Sequence, residues 1–589
     1  MEIALTLTIL TVALILFATE WIRMDLVSLM ILLTLGLTGL VSPEEAFSGF
    51  SNPAVITVAA MFVISAGISN TGAVNQVGEK ILEFTGQSEI RLIISLMLTV
   101  AFFSAFINNI GATAVLMPVV IGIARRLHMP PSKLLIPLAF GSLLGGVCTL
   151  IGTPPNILMN ELLQEYTGES FSMFDFTPVG VVILLAGIVY MVLVGRHLLP
   201  SRKAGTLTEA YQVKEYITEV EILEGSPLAG QTISKTNLEG DFDLKIRAIL
   251  RNKQKIPFPR RNRKLMEKDI LFLEGNPEGI LKVRQKKGLA VVPERDNPIG
   301  RISGEELVVV EASLTPTSDM VGKTLREVRF AHTYGLAVLA IWRSGAPVVK
   351  KVDHVALKFG DVLLVQGPEE NVKHLGEMHD FLLLGGVAPE SYQPRKAPFA
   401  IAVLLGVVVA ASSGLLPIML SATLGALILV LGRCLTTKEA YEAIDWSIII
   451  LIAGTLPLGY AMQNSGAAEI IADLINQWVG PMGPWIVLGA IFLITFLLTG
   501  IMSHAASAVL IAPIAVNAAM ALDVSAKPFF MAVAIAASSC FMTPISHQSN
   551  ALVMGPGGYH FFDYTKVGTP LNLIIWILAT LIIPLIFPF

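Results

Sequence analysis

The apolar run from 91 to 124 is interrupted at its middle by Asn108-Asn109-Ile110-Gly111, and a second run, 485–521, is interrupted from Gly500 to His504. Another kind of interruption, Gly152-Thr153-Pro154-Pro155-Asn156, splits the run 133–165, and a break around Pro544 to Asn550 splits 527–562. Each break leaves backbone N–H and C=O groups that hydrocarbon cannot satisfy, so a break at membrane depth has to face protein or water. The breaks also match in pairs. Asn109-Ile-Gly-Ala-Thr-Ala-Val-Leu-Met-Pro118 aligns with His504-Ala-Ala-Ser-Ala-Val-Leu-Ile-Ala-Pro513 at a spacing of 395. Thr153-Pro154-Pro155-Asn156 aligns with His547-Gln548-Ser549-Asn550 at 394. Agreement within one residue at two independent places points to a duplicated membrane unit, and paired breaks are where membrane carriers place their binding site.

The rest of the chain fits a polytopic helical membrane protein. Of 589 residues 53% are apolar and 15% charged, where soluble proteins carry about a quarter. Unbroken runs long enough to cross a bilayer lie near 3–19, 26–41, 53–70, 176–199, 397–413, 417–432, 446–463 and 570–588. The first lacks a basic leader and a small-residue cleavage site, so we expect a retained helix. Charge concentrates between Ser201 and Lys396, which hold 30 of the 41 Lys and Arg residues. The net charge of -4 gives no sign of nucleic-acid binding, and Cys148, Cys434 and Cys540 have no metal-site or disulfide spacing. No catalytic constellation and no Gly-Lys-Ser/Thr phosphate loop occurs, so neither an enzyme nor an ATP-driven pump is expected.

Basic residues set the expected orientation. Arg91 precedes the first hairpin and Arg125, Arg126 and Lys133 follow it, so both its ends are expected in the cytoplasm. Arg196, Arg202 and Lys203 then place the polar middle inside, and Glu469, Asp473 and Asp523 place the ends of the second hairpin outside. The expectation is two inverted repeats, 1–200 and 395–589, in a cell (inner) membrane, with both termini extracytoplasmic. Glu20, Arg23 and Asp25, and Asp445-Trp446, read as topological anchors.

The middle repeats itself. Leu228-Ala-Gly230-Gln-Thr232 matches Met320-Val-Gly322-Lys-Thr324, and Asp269-Ile-Leu-Phe-Leu-Glu-Gly275 matches Asp361-Val-Leu-Leu-Val-Gln-Gly367, all at a spacing of 92. Each unit, 206–290 and 298–385, resembles the TrkA-C module, the C-terminal domain of regulators of potassium conductance. The resemblance implies small paired α/β modules that can bind an effector. The basic run Arg260-Arg261-Asn262-Arg263-Lys264 reads as a solvated loop, with contact to anionic lipid headgroups as the alternative.

The broken helices resemble the divalent anion/sodium symporter family, whose hairpin tips carry Ser-Asn-Thr and whose unwound helices carry Thr-Pro-Pro-Asn. Here the tips read Asn108-Asn109-Ile110 and Ser503-His504-Ala505, and the unwound loops Gly152-Thr153-Pro154-Pro155-Asn156 and Ser546-His547-Gln548-Ser549-Asn550. Both tip threonines are absent, which argues against a long two-ended dicarboxylate and favours the subgroup with a TrkA-C insert, associated with sulfate. The resemblance implies a homodimeric, sodium-coupled carrier working by an elevator-like movement. It implies substrate contacts from Asn108, Asn109, Thr153, Asn156, Ser503, His504, His547 and Asn550. It also implies one sodium site at Ser104, Asn108, Asn109 and Gly152, and a second at Thr499, Ser503, His504 and Ser546. Half-helix N-termini direct N–H groups and a positive dipole end at such a cavity, which suits an oxyanion.

Each residue also has a plainer role. Asn and Ser in apolar helices bond neighbouring helices, and the hydroxyls of Ser104 and Thr499 can back-bond their own turn. His504 and His547 read as neutral hydrogen-bond donors, with proton carriage the alternative. A dicarboxylate symporter, a proton-coupled or exchange carrier, and a non-transporting membrane sensor remain open at this point.

Overall fold

The computed structural model describes residues 2–19, 21–74, 88–127, 129–201, 393–544 and 546–589 of the membrane halves. Within the insert it describes 216–222, 226–236, 238, 244–251, 254–257, 263–275, 289–291, 307–315, 318–343, 346–348, 352, 355–358, 360–376, 378 and 380–384. Glu20, Arg202, Lys203 and the basic run's Arg260, Arg261 and Asn262 lie outside the described residues.

The first membrane half runs α1 (Glu2–Thr19), α2 (Met24–Thr38), α3 (Pro43–Ser48), α4 (Pro53–Asn70), α5 (Glu89–Ser104), α6 (Asn109–Arg126), α7 (Leu135–Gly146), α8 (Pro154–Thr167) and α9 (Thr177–Tyr190). After α9 the chain continues through a π-helical turn, Met191–Gly195. The insert contributes β1 (Tyr216–Ile222), β2 (Leu244–Arg251), β3 (Gln254–Pro257), β4 (Ile270–Gly275) and β5 (Leu289–Val291). Then come β6 (Leu307–Leu314), β7 (Ala337–Arg343), β8 (Ala346–Pro347), β9 (Val362–Pro368), α10 (Glu369–Gly376) and β10 (Phe381–Leu383). The second membrane half comprises α11 (Ala397–Ser412), α12 (Ile418–Leu431), α13 (Thr437–Glu442), α14 (Trp446–Asn464) and α15 (Ala467–Val479). It ends with α16 (Pro484–Thr499), α17 (His504–Ala521), α18 (Lys527–Ser538), α19 (Gln548–Gly557) and α20 (Phe561–Ile586).

Both hairpins break where the polar residues interrupt the apolar pattern. α5 and α16 end at Ser104 and Thr499, and α6 and α17 begin at Asn109 and His504, so all four boundaries repeat at 395. The short helices before them repeat too. Ser42 caps α3 in a capping box with Glu45, and Thr436 caps α13 in a capping box with Glu439. The final helix begins nine residues before the expected 570, because Asp563 of its first turn accepts from the His560 backbone N–H at 2.7 Å and fixes the helix start there. Pro570 is then carried inside the helix.

Packing exchanges elements between the halves. α2 lies along α14 and α4 along α12, while α8 packs on α17 and α18 and α19 packs on α6 and α7. Close crossings depend on glycine. A Cβ on Gly49 would meet the Ala453 carbonyl oxygen at 2.1 Å, and one on Gly145 would meet the Ala101 backbone at 2.3 Å. Outward faces are apolar: Leu405 is 57% exposed, Leu431 73% and Leu585 72%. Such faces suit hydrocarbon as solvent, and six of the described helices are long and apolar enough to cross a membrane.

The insert forms two antiparallel sheets with strand orders β3-β2-β4-β1-β5 and β8-β7-β9-β6-β10, the same topology repeated. Arg251 clamps Asp269 through Nε and Nη2 at 2.7 and 2.6 Å, and 92 residues on Arg343 clamps Asp361 at the same distances. Gly230 N donates to Leu265 O and Gly322 N to Leu357 O, each at 2.8 Å. The gapless spacing read in the sequence is therefore a structural one.

Candidate functional site

The four breaks meet in one place. Ser104, the last residue of α5, puts Oγ 2.5 Å from the side-chain amide of Asn109, the first of α6. Ser142 on α7 lies 3.0 Å from Ser104 Oγ and donates to the Asn109 backbone carbonyl at 2.9 Å. The same Asn109 amide reaches His547 Nε2 at 3.4 Å, across to the second half. His547 stacks on His504 with ring centroids 5.1 Å apart. Thr153 Oγ1 pairs with Ser538 Oγ at 2.9 Å, a second bridge between the halves. Thus the first hairpin tip, the second hairpin tip and both unwound loops share one buried polar cluster.

Local chemistry explains these positions. Asn108 Oδ1 accepts from Ile110 N at 3.1 Å and so caps α6, leaving its amide N–H₂ for other partners. His547 precedes α19 and its Nδ1 accepts from Ser549 N at 3.1 Å, a histidine acting as helix cap. A Cβ on Gly146 would meet the Asn109 amide at 2.4 Å, and one on Gly152 would meet Gly146 O at 2.2 Å. The two glycines let the unwound loop close onto the hairpin tip. Thr149 Oγ1 donates to Ala105 O and ties loop to hairpin from the other side.

The two unwound loops are built alike. Asn156 Nδ2 donates to Thr149 O at 2.8 Å, and Asn550 Nδ2 donates to Thr543 O and Cys540 O, each at 3.3 Å. These bonds fix which way each amide points, since turning it would set oxygen against carbonyl oxygen. Both Oδ1 atoms are then buried acceptors without a protein donor. A buried orphan acceptor is costly, so this pair calls for a cation, a water or a donor on a ligand. Beside Asn108 and Gly152 lies a cavity of about 20 Å³ with Met61, Phe62, Ile151 and Pro154 in its wall, room for one water-sized particle.

One expectation needs correcting. Pro154 and Pro155 occupy the first two positions of α8 and have no N–H, and Asn156 N is bonded to Thr153 O at 3.2 Å. The start of α8 therefore offers an anion little, whatever its dipole. In α17 no side chain caps the first-turn N–H groups, because Ser503 makes no capping bond. The N–H donors available for an oxyanion concentrate at His504 and the residues after it, on the second hairpin. Thr499 Oγ1 donates back to Thr495 O at 2.8 Å, and Ser546 Oγ donates to Thr543 O at 3.0 Å and Cys540 O at 3.2 Å, so only their lone pairs face elsewhere.

Sequence reading missed Ser142, Thr149 and Ser538. The available signal was a lone hydroxyl in an otherwise apolar, fully buried helix, as Ser142 is in Leu135–Gly146. Tyr564 was also missed; its hydroxyl donates to Asn550 O at 2.7 Å and props the second loop.

Comparison with known proteins agrees with this architecture. The citrate transporter family, CitMHS, matches residues 14–536. An uncharacterized transporter of Synechocystis is 36% identical over 100% of this chain and 97% of its own. Sodium/sulfate cotransporter 1 of Chlamydomonas reinhardtii is 24% identical over 99% of this chain and 89% of its own. The sodium-dependent dicarboxylate transporter SdcS of Staphylococcus aureus is 24% identical over 30% of this chain and 36% of its own. The solved RCK domain of GsuK covers 27% of this chain and 63% of its own at 12% identity, with a TM-score of 0.13 that leaves the insert to be argued from its own residues. The chain is a multi-pass membrane transporter, not an enzyme, and it belongs to the citrate transporter family.

Proposed function

We propose that this transporter takes up a small divalent oxyanion, sulfate first, by sodium-coupled symport. The carrying observation is the convergence of both hairpin tips and both unwound loops on one buried polar cluster linked by Asn109–His547 and Thr153–Ser538. In this reading the halves are inverted repeats. Their hairpins and broken helices move together, elevator-like, against a scaffold of the remaining helices in a homodimer. The TrkA-C-like modules hang on the cytoplasmic side, and both termini lie outside the cell membrane.

Sodium fits the residues present. The first site has Asn109 and Ser104 packed at the hairpin tip, with the small cavity touching Asn108 and Gly152. Hydroxyls, amide oxygens and unwound carbonyls suit a hard cation. The orphan oxygens of Asn156 and Asn550 add one acceptor per half, so these two residues work better toward a cation or a ligand hydroxyl than toward bare oxyanion oxygens. The anion is met by Asn108 Nδ2, Thr153, Ser503, the two histidines and the first-turn N–H groups of α17. Bound sodium supplies the positive charge that the cluster lacks.

The relatives named for sodium and sulfate support this substrate, while the family's citrate description and SdcS favour a carboxylate as the second reading. Equilibrium sulfate binding to the purified protein separates them. Affinity that rises with sodium, by the same factor as sulfate raises sodium affinity, supports symport. Sulfate binding indifferent to sodium, with succinate or citrate bound instead, favours the carboxylate.

A further inference from the structure

The two insert modules share a topology but have different surroundings. In the second, the sheet covers its own core with one face: Val310, Ala312, Ile341, Leu363 and Val365 pack with Phe330 and Phe381. Residues of the opposite face, Ala340, Val362, Leu364 and Leu384, are buried within the hydrophobic core of the membrane halves, with Leu339, Trp342 and Leu382 packed against it. The alternation along β9 is therefore apolar on both sides, as a strand covered on both faces requires. None of the described residues of the first module belongs to that core.

The contact is close at the turn before β9. Gly360, at φ +76°, brings its carbonyl oxygen so near α19 that a Cβ on Gly555 would meet it at 1.9 Å. This is backbone against backbone, between the insert and the half-helix that starts beside His547 and carries Asn550. Just beyond that half-helix, Tyr559 donates to Ser132 O at 2.6 Å and accepts from Ile136 N at 3.1 Å, so the contact bears on both broken helices. The counterpart of Gly360 in the first module is Lys268, exposed and in the same left-handed conformation at φ +65°. One copy of the turn has been shaped to seat on α19 and the other has not.

The chain that leaves the second module is tied to the scaffold. Gln393, where the chain leaves the insert, donates its N–H to Asn70 O at the end of α4 at 3.1 Å. Arg23, between α1 and α2, is held above its ordinary range chiefly by its hydrogen bond to Asp25, and Asp319 of the module adds to the effect. The module thus seats on an element assigned to the moving unit, and the chain that leaves it is tied to an element assigned to the scaffold.

We propose that the second module is a built-in clamp: seated through Gly360 on Gly555 and through its outer sheet face on the membrane core, it holds α19 fixed against the scaffold, and the carrier cycles only when the module lifts. This rests on the reading of α19 as part of the moving unit. It assigns opposite tasks to two modules of one fold, docking to the second and freedom to the first.

Gly360→Lys copies the turn of the first module, and Trp342→Glu sets a charge in the docked sheet face; neither residue belongs to the transport site. Full-length wild type and both variants are reconstituted, and uptake of sulfate, succinate and citrate is compared, with hydrogen exchange of residues 548–558 reporting release. Exchange there is expected to quicken in both variants, and maximal uptake to rise roughly tenfold with an unchanged half-saturating concentration, as for a docked state favoured by about that factor. Flux in the variants with none in wild type is the same result at its limit. Release with unchanged or lower uptake overturns the clamp and leaves the carrier standing. Unchanged exchange in both variants overturns the docking itself. No flux of any anion in any of the three proteins sinks the carrier reading, and the clamp with it.

Discussion

Asn109 and His547, 438 residues apart in sequence, meet at 3.4 Å across the two membrane halves. His547 Nδ1 accepts from the Ser549 N–H at 3.1 Å. Asn109 Oδ1 accepts from Ser104 Oγ at 2.5 Å, and its Nδ2 lies on the His547 side. Ser104, Ser142 and Asn109 close a buried ring: Ser104 Oγ lies 3.0 Å from Ser142 Oγ, which donates to the Asn109 backbone carbonyl. The first hairpin tip is thus held by a residue of the other half.

Asn109→Ala removes the acceptor of the buried Ser104 hydroxyl together with the contact to His547, a loss of about 1–3 kcal/mol. Asn550→Ala removes the orphan oxygen of the second loop. Both variants are expected to insert at wild-type levels and to lose sodium-dependent uptake. Normal uptake in both, measured on protein quantified in the membrane, contradicts the site assignment.

His504→Gln keeps a hydrogen-bond donor at the start of α17 and removes the titrating ring. With the histidines acting as neutral donors, the variant retains most of its uptake and its pH profile keeps the wild-type shape. A wild-type pH optimum that disappears in the variant would instead assign proton carriage to His504.

Thr153 and Ser538 bond each other across the halves, buried, at 2.9 Å. Thr153→Val leaves Ser538 unpaired and is expected to lower stability by about 1–2 kcal/mol, with Thr153→Val/Ser538→Ala recovering part of the loss. Thermal unfolding in detergent measures this cycle. Additive losses would mean that the pair does not couple.

In the insert, Asp361 is fully buried, clamped by Arg343 and accepting from Lys358 N at 2.8 Å. Asp361→Asn removes the charge from a partly exposed pair while keeping an acceptor, and is expected to cost about 1–3 kcal/mol, enough to loosen the second module. Protease sensitivity within 307–384 should rise sharply while the membrane halves stay intact. Unchanged protection would show that the pair matters little to that sheet.

The sequence carried the breaks, both spacings and the insert's repeat because each depends on residue type along the chain. Polar residues inside apolar runs announce the tips, where α5 and α16 end and α6 and α17 begin. What the chain did not announce depends on contacts between distant segments. Ser142 and Ser538 look like any hydroxyl in an apolar helix until Asn109 and Thr153 are set beside them. Pro154-Pro155 stands in the sequence as part of a motif, whereas in the structure it leaves the first two positions of α8 without an N–H. Gly360 and Gly555 are two glycines among 49, and only their approach in space sets them apart.

The central claim is tested most directly by radiolabelled sulfate uptake into proteoliposomes, with and without an inward sodium gradient. The account predicts uptake above the equilibrium level that requires the gradient and collapses when sodium is equal on both sides. Sulfate flux indifferent to sodium, or none under either condition while succinate or citrate is carried, would contradict it.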